Sequence, residues 1–174
     1  MFCPRRILVP VDFGCSAMPA AACAQDLART FGSHIHLLHV SPEPAAQSWA
    51  RLVSSSDLAH QAEEWRADAM AELEAFAALT IRPGQMPGRP GPTLAVRVSD
   101  DAPAAILAYA RDAGCDLIVM GTHRPSALGL LLGSTGDWVR RHATCPVVLV
   151  PPVVEAPAVE TWAPSRVHDM ATAS

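Results

Sequence analysis

Apolar positions along the chain follow two alternating periods. Short, nearly continuous apolar runs read as strands: Ile7 to Val11, His34 to Val40, Thr93 to Val98, Asp116 to Met120 and Pro146 to Val150. Between them, apolar residues recur three or four apart. Ala20, Ala24, Leu27, Ala28 and Phe31 form one such set, and Leu58, Ala62, Trp65, Ala69, Leu73 and Phe76 another. That spacing predicts two amphipathic helices, the first stopped by Gly32. Asp100 and Asp101 are placed to cap a third helix, with Pro103 in its first turn and its end near Gly114. A fourth helix is expected over residues 134–142. Proline, glycine and serine mark the connections, above all between Pro83 and Pro92.

The order is therefore β-α-β-α-β-α-β-α-β. Strands apolar on both faces, separated by helices, predict an α/β fold: a doubly wound, five-stranded parallel sheet with helices on both faces. The expected domain covers residues 1–151. Residues 152–174, rich in proline and alanine and without a period, are expected to form a tail.

Composition narrows the function. The 174 residues are half hydrophobic and carry a net charge of −4, which suits one globular domain without a basic face for nucleic acid. All 13 basic residues are arginine, which excludes chemistry that needs a lysine, such as a Schiff base or a P-loop. No apolar run reaches the roughly 18 residues of a membrane span, and Ile7 to Val11 is too short for a signal-peptide core. A cytoplasmic location is expected. The five cysteines contain no C-x-x-C pair and read as reduced, mostly core thiols. Cys15, at the start of the first helix, has a second reading as a redox-sensitive thiol.

In a doubly wound sheet, ligands bind beyond the carboxyl ends of the strands. Asp12 has two readings there: it accepts hydrogen bonds from a ribose or an adenine amine, or it caps the helix that follows. The segment Gly133-Ser134-Thr135-Gly136 also has two readings. It presents backbone N–H groups to a phosphate, or Ser134 and Asp137 close a capping box. His34 and His36 share one strand face and His39 takes the other, so the three do not converge on a metal. The four tryptophans read as packing groups, since no basic groove accompanies them. No G-x-S-x-G elbow and no cysteine with an evident histidine partner is present, so no catalytic residue is assigned.

Four segments carry a resemblance. Ile7-Leu8-Val9-Pro10-Val11-Asp12-Phe13, the run Asp116 to His123, Leu130-Leu131-Leu132-Gly133-Ser134, and Cys145 to Val150 together resemble the universal stress protein family, over roughly residues 5–151. The resemblance implies strand order 3-2-1-4-5 and a homodimer formed through the last strand, Pro146 to Val150. It implies ATP or another adenine nucleotide as ligand, with Mg²⁺ or Mn²⁺ carried by the phosphates. Asp12 would contact the nucleoside, and the backbone near Val40 would face the adenine. Gly121, Gly133 and Ser134 match the family's phosphate motif, G-x2-G-x9-G-S/T. The candidate site is thus Pro10, Val11, Asp12, Val40, Met120, Gly121, His123, Arg124, Gly133, Ser134 and Thr135.

Two departures stand out. Arg124 replaces the second glycine and is followed by Pro125, and the stretch from Gly121 to Gly133 is one residue short. Losing the glycine removes a close backbone approach, and Pro125 removes an N–H donor. Arg124 either pairs with phosphate oxygens or fills the groove. Two functions follow: a stress-response regulatory protein binding an adenine nucleotide between strands one and four, or a nucleotide-free homodimeric interaction protein. Slow ATP hydrolysis is a third reading, with only Asp12 and His123 as candidate bases.

Overall fold

A computed structural model describes residues 2–42, 55–81, 90–122 and 135–152. Nine elements alternate as the periodicity requires: β1 (Arg6–Val11), α1 (Ala17–Phe31), β2 (His34–Ser41), α2 (Ser55–Thr80), β3 (Thr93–Val98), α3 (Ala102–Asp112), β4 (Leu117–Gly121), α4 (Thr135–His142) and β5 (Val147–Val150). The five strands form one parallel sheet in the order β3-β2-β1-β4-β5.

The sheet is apolar on both faces because alternate residues of each strand serve different layers. Ile7, Val9, Val11, Ile35, Leu37, Leu117 and Val119 pack with α1 and the second half of α2. Leu8, Leu38, Ile118 and Met120 face the other way, against Ile106, Tyr109 and Ala110 of α3 and Val139 of α4. On α1 the buried stripe is almost all alanine (Ala17, Ala20, Ala21, Ala24 and Ala28). Small side chains let that helix lie close to the central strands. Phe31, expected in this stripe, is 41% exposed; the helix ends there, past the edge of its apolar face.

Element boundaries have local causes. Gly32 takes φ +77° and its N–H closes on Ala28 O, ending α1 in the left-handed region that glycine adopts without a Cβ clash. Asp101 Oδ1 accepts the Ala104 N–H at 3.0 Å, so the expected cap of α3 is present, with proline in its first turn. Asp116 precedes β4 instead of opening it. Its carboxylate accepts the backbone N–H groups of Arg5 and Arg6 at 2.9–3.1 Å, fixing the start of β1 beside β4.

The β1–β2 pairing runs the full length of β1, from Arg6 beside His34 to Val11 beside His39. The β1–β4 pairing is shorter and stops at Leu8 beside Ile118. Backbone groups alternate sides along a strand, so the next N–H directed at β4 after Leu8 would belong to residue 10. That residue is Pro10, which has none. The two strands are thereby released from each other toward their carboxyl ends, at the point where the strand order reverses.

Candidate functional site

A cavity of about 630 Å³ opens at this point. Its size falls within the ~300–1,000 Å³ usual for small-molecule sites. Pro10, Val11 and Asp12 from the end of β1 form one side, and Met120, Gly121 and Thr122 from the end of β4 form the other. Leu38 and Val40 of β2 and Leu149 of β5 extend the apolar floor. Ala102 and Ile106 bring in the start of α3, and Thr135, Gly136 and Asp137 the start of α4. Ser16 and Ala17 close the cavity from α1.

Of the candidates read from the sequence, Pro10, Val11, Asp12, Val40, Met120, Gly121 and Thr135 line this one cavity. His123, Arg124, Gly133 and Ser134 lie outside the described residues, as do Trp49, Trp162 and the expected tail. Gly136 of the segment read as phosphate-binding lines the cavity too, as does Asp137, read only as a capping residue, while sequence reading missed Ser16, Leu38, Ala102, Ile106 and Leu149 as lining groups. Leu38 could have been found, since it shares its strand face with Val40. The helix-borne residues depend on tertiary packing and give no local signal.

Asp12 is held by the turn that ends β1. Its Oδ1 accepts the Gly14 N–H at 2.9 Å, an Asx turn. That bond goes to Gly14 in the turn, before α1 begins, and the residue flanking the helix start is Ser16. Between the two, Phe13 takes φ +58°, the left-handed region, and is the one non-glycine residue to do so among those described. For a bulky side chain that conformation costs about 1–2 kcal/mol and persists only where surroundings enforce it. The ring lies 4.6 Å from His39 and 6.0 Å, edge-on, from Phe76. His39 donates from Nδ1 to Val11 O at 2.8 Å, one residue before Asp12.

Gly121 has a packing reason to lack a side chain. A Cβ there would lie 2.6 Å from Ser16 Cβ and Oγ, and nearer still to the Ser16 carbonyl. The N-terminus of α1 therefore approaches β4 more closely than any larger residue permits. The glycine marks the site because it lets α1 close one side of it.

The three strand histidines divide as their spacing predicts. His34 and His36 lie on the α3 side, their rings 5.1 Å apart, while His39 faces α1 and α2. Each is committed elsewhere: His34 Nε2 bonds Thr93 Oγ1 at 2.8 Å, and His36 Nδ1 bonds the Tyr109 hydroxyl at 3.1 Å. Burial lowers the pKa of both rings, helped by Arg6 and, for His36, by His34. Among the described residues no cluster of three or more potential metal ligands occurs. The expectation of mostly core thiols holds fully only for Cys115, which burial, with Cys145 and Asp116 nearby, pushes up to about 11. Cys23 and Cys145 are half-buried, and Cys3 and Cys15 are exposed; all five are free thiols.

A doubly wound parallel sheet with a cavity at its switch point defines an α/β protein of the open-sheet class. The comparisons give the family. Residues 4–151 match the model of the universal stress protein family, and the chain belongs to that family. It is 33% identical over 156 residues to universal stress protein G of Shigella flexneri, covering 84% of this chain and 98% of that one. Among solved structures, the universal stress protein UspA from Lactobacillus plantarum is 27% identical, with a TM-score of 0.57 over 84% of this chain and 97% of the other. A universal stress protein in complex with cAMP matches with a TM-score of 0.60 at 17% identity, over 87% of this chain and 100% of the other. One from Archaeoglobus fulgidus in complex with dAMP matches with a TM-score of 0.54 at 19% identity, over 86% and 99%. No helix among the described residues is long and apolar enough to cross a membrane.

Proposed function

We propose that this chain is a stress-response regulatory protein that binds an adenine nucleotide, ATP or a relative of it, in the cleft between β1 and β4. The observation that carries this reading is the convergence of Asp12, Val40 and Gly121, chosen from sequence, on one cavity of nucleotide size. The walls suit a nucleoside. Leu38, Val40, Ile106, Met120 and Leu149 offer an apolar slot for a base, and Asp12 at its mouth is an acceptor for sugar hydroxyls. The related folds in complex with cAMP and dAMP support an adenine ligand.

For the phosphates, the start of α4 contributes Thr135 and Gly136, and its dipole favours an anion. The described lining contains no cation, so positive charge for a triphosphate falls to Mg²⁺ or Mn²⁺ and to Arg124 of the connection that precedes α4. The proposed assembly is a homodimer joined through β5. A second reading, a nucleotide-free dimer, draws on Gly121, whose packing against Ser16 accounts for the glycine without any phosphate.

Calorimetric titration with ATP and Mg²⁺ tests the proposal. Binding at about micromolar strength is expected of the native chain, with Arg124→Gly weaker by about tenfold, the worth of one charge-assisted hydrogen bond. Absence of heat from the native chain, with binding gained by Arg124→Gly, would favour the nucleotide-free reading and identify Arg124 as the block.

A further inference from the structure

We propose that Phe13 and His39 are positioning residues that hold Asp12 at the cleft, and so set the preference for a ribose with free hydroxyl groups. The inference rests on the nucleoside reading given above and adds the device that aims its polar anchor.

The chain must change direction sharply after β1. Val11 contributes to the core on one face of the sheet, and strand alternation sends Asp12, which also lines the cavity, the other way. A left-handed residue between Asp12 and Gly14 turns the chain back so that the Gly14 N–H meets the Asp12 carboxylate, and glycine or asparagine would make that turn with the least strain. Here the position is Phe13, at φ +58°. Its ring is received by His39 at 4.6 Å and by Phe76 at 6.0 Å, so β2 and α2 both grip the turn. His39 holds a second point: its Nδ1–H is bonded to Val11 O at 2.8 Å, directly before Asp12. The carboxylate is closed from the other side by the Gly14 N–H at 2.9 Å.

The turn is thus fixed at Val11, Phe13 and Gly14, and Asp12 is the residue those three points leave to face the cavity. A strained residue kept in place by two rings and a hydrogen bond, next to a ligand-facing carboxylate, is the arrangement expected where geometry at the site outweighs local ease. A ring that served the core alone would not need the left-handed backbone.

The test compares adenosine with 2′,3′-dideoxyadenosine by calorimetry on the full chain. The native protein should prefer adenosine by about tenfold or more, as expected for hydroxyl bonds to a carboxylate. Phe13→Ala should bring that preference down to about twofold while changing dideoxyadenosine affinity by no more than about threefold; Phe13→Tyr, which keeps the ring, should retain the preference. A purely structural ring predicts equal losses for both ligands, and that result, or an unchanged preference in Phe13→Ala, overturns the proposal. Should Phe13→Ala fail to fold, Phe13→Leu keeps apolar volume without an aromatic face, and the same collapse of preference is expected of it. A native chain that binds neither nucleoside refutes the binding reading itself, and this inference with it.

Discussion

His36 lies in the apolar layer between β2 and α3, and no carboxylate pairs with it among the described residues. The groups around it are Tyr109 on α3, His34 on its own strand, Arg6 on β1 and Arg97, whose guanidinium lies 5.7 Å over the Tyr109 ring. A proton on His36 would lose its hydration in that layer and would meet the positive charge of Arg6, itself exposed at the start of β1. Burial first, then His34 and Arg6, lowers its pKa from 6.5, and His34 is lowered in the same direction. The folded state thus takes up protons less readily than the unfolded chain. Stability from this source is fully present above about pH 6.5 and falls as pH drops below that value. Urea midpoints measured between about pH 7.5 and about pH 5 should fall in the native protein and fall less in His36→Gln. Equal pH slopes in the two proteins would remove His36 from the account. The role of the site residues was only partly legible at this scale. Asp12 and Gly121 stood out as a charge and a gap after apolar runs. The reasons behind them did not: Gly121 answers to Ser16, more than a hundred positions away, and nothing in the string Asp12-Phe13-Gly14 says that the phenylalanine takes the left-handed turn.

The strands were the most legible elements, because five apolar runs on a two-residue period leave little choice of register once both faces are buried. The helices were readable in their interiors and less so at their ends. α1 starts at Ala17, three residues ahead of its apolar stripe as read from sequence, and α2 runs from Ser55 to Thr80, beyond its periodic core. Pro10 is the clearest case of an element-scale effect visible but not interpretable in sequence. It lies inside an obvious strand, and only the strand order shows that its missing N–H faces β4. β5 is the edge element next to the cleft. It has four residues, pairs on one side with β4, and leaves Val148 36% exposed. A short apolar edge is a template for pairing with another chain unless charge or proline blunts it. In the proposed homodimer that edge is covered by its copy. Sedimentation should show a dimer at about micromolar concentration and a monomer for Val148→Asp, since a carboxylate opposite its own symmetry mate is repelled and desolvated. A native chain that sediments as a monomer contradicts this assembly.

At the scale of the whole molecule, the two poles of the sheet have different characters. The carboxyl pole is opened by Pro10 and closed by the starts of α1, α3 and α4 around the large cavity. The amino pole is tied by Asp116 on the Arg5 and Arg6 amides and by Ser33 Oγ donating to Pro4 O at 2.6 Å, and a smaller recess of about 240 Å³ lies near Arg5, His34 and Pro92. The adenine nucleotide proposed above would bind at the carboxyl pole. The most direct measurement is an amide-resolved NMR titration of the full chain with ATP and Mg²⁺. Saturable shifts are expected at Asp12, Val40, Ala102, Gly121 and Thr135, with Arg5, Ser33 and His34 unmoved. Shifts confined to the amino pole, or none up to about millimolar nucleotide, where even weak ligands register, would contradict the proposed binding.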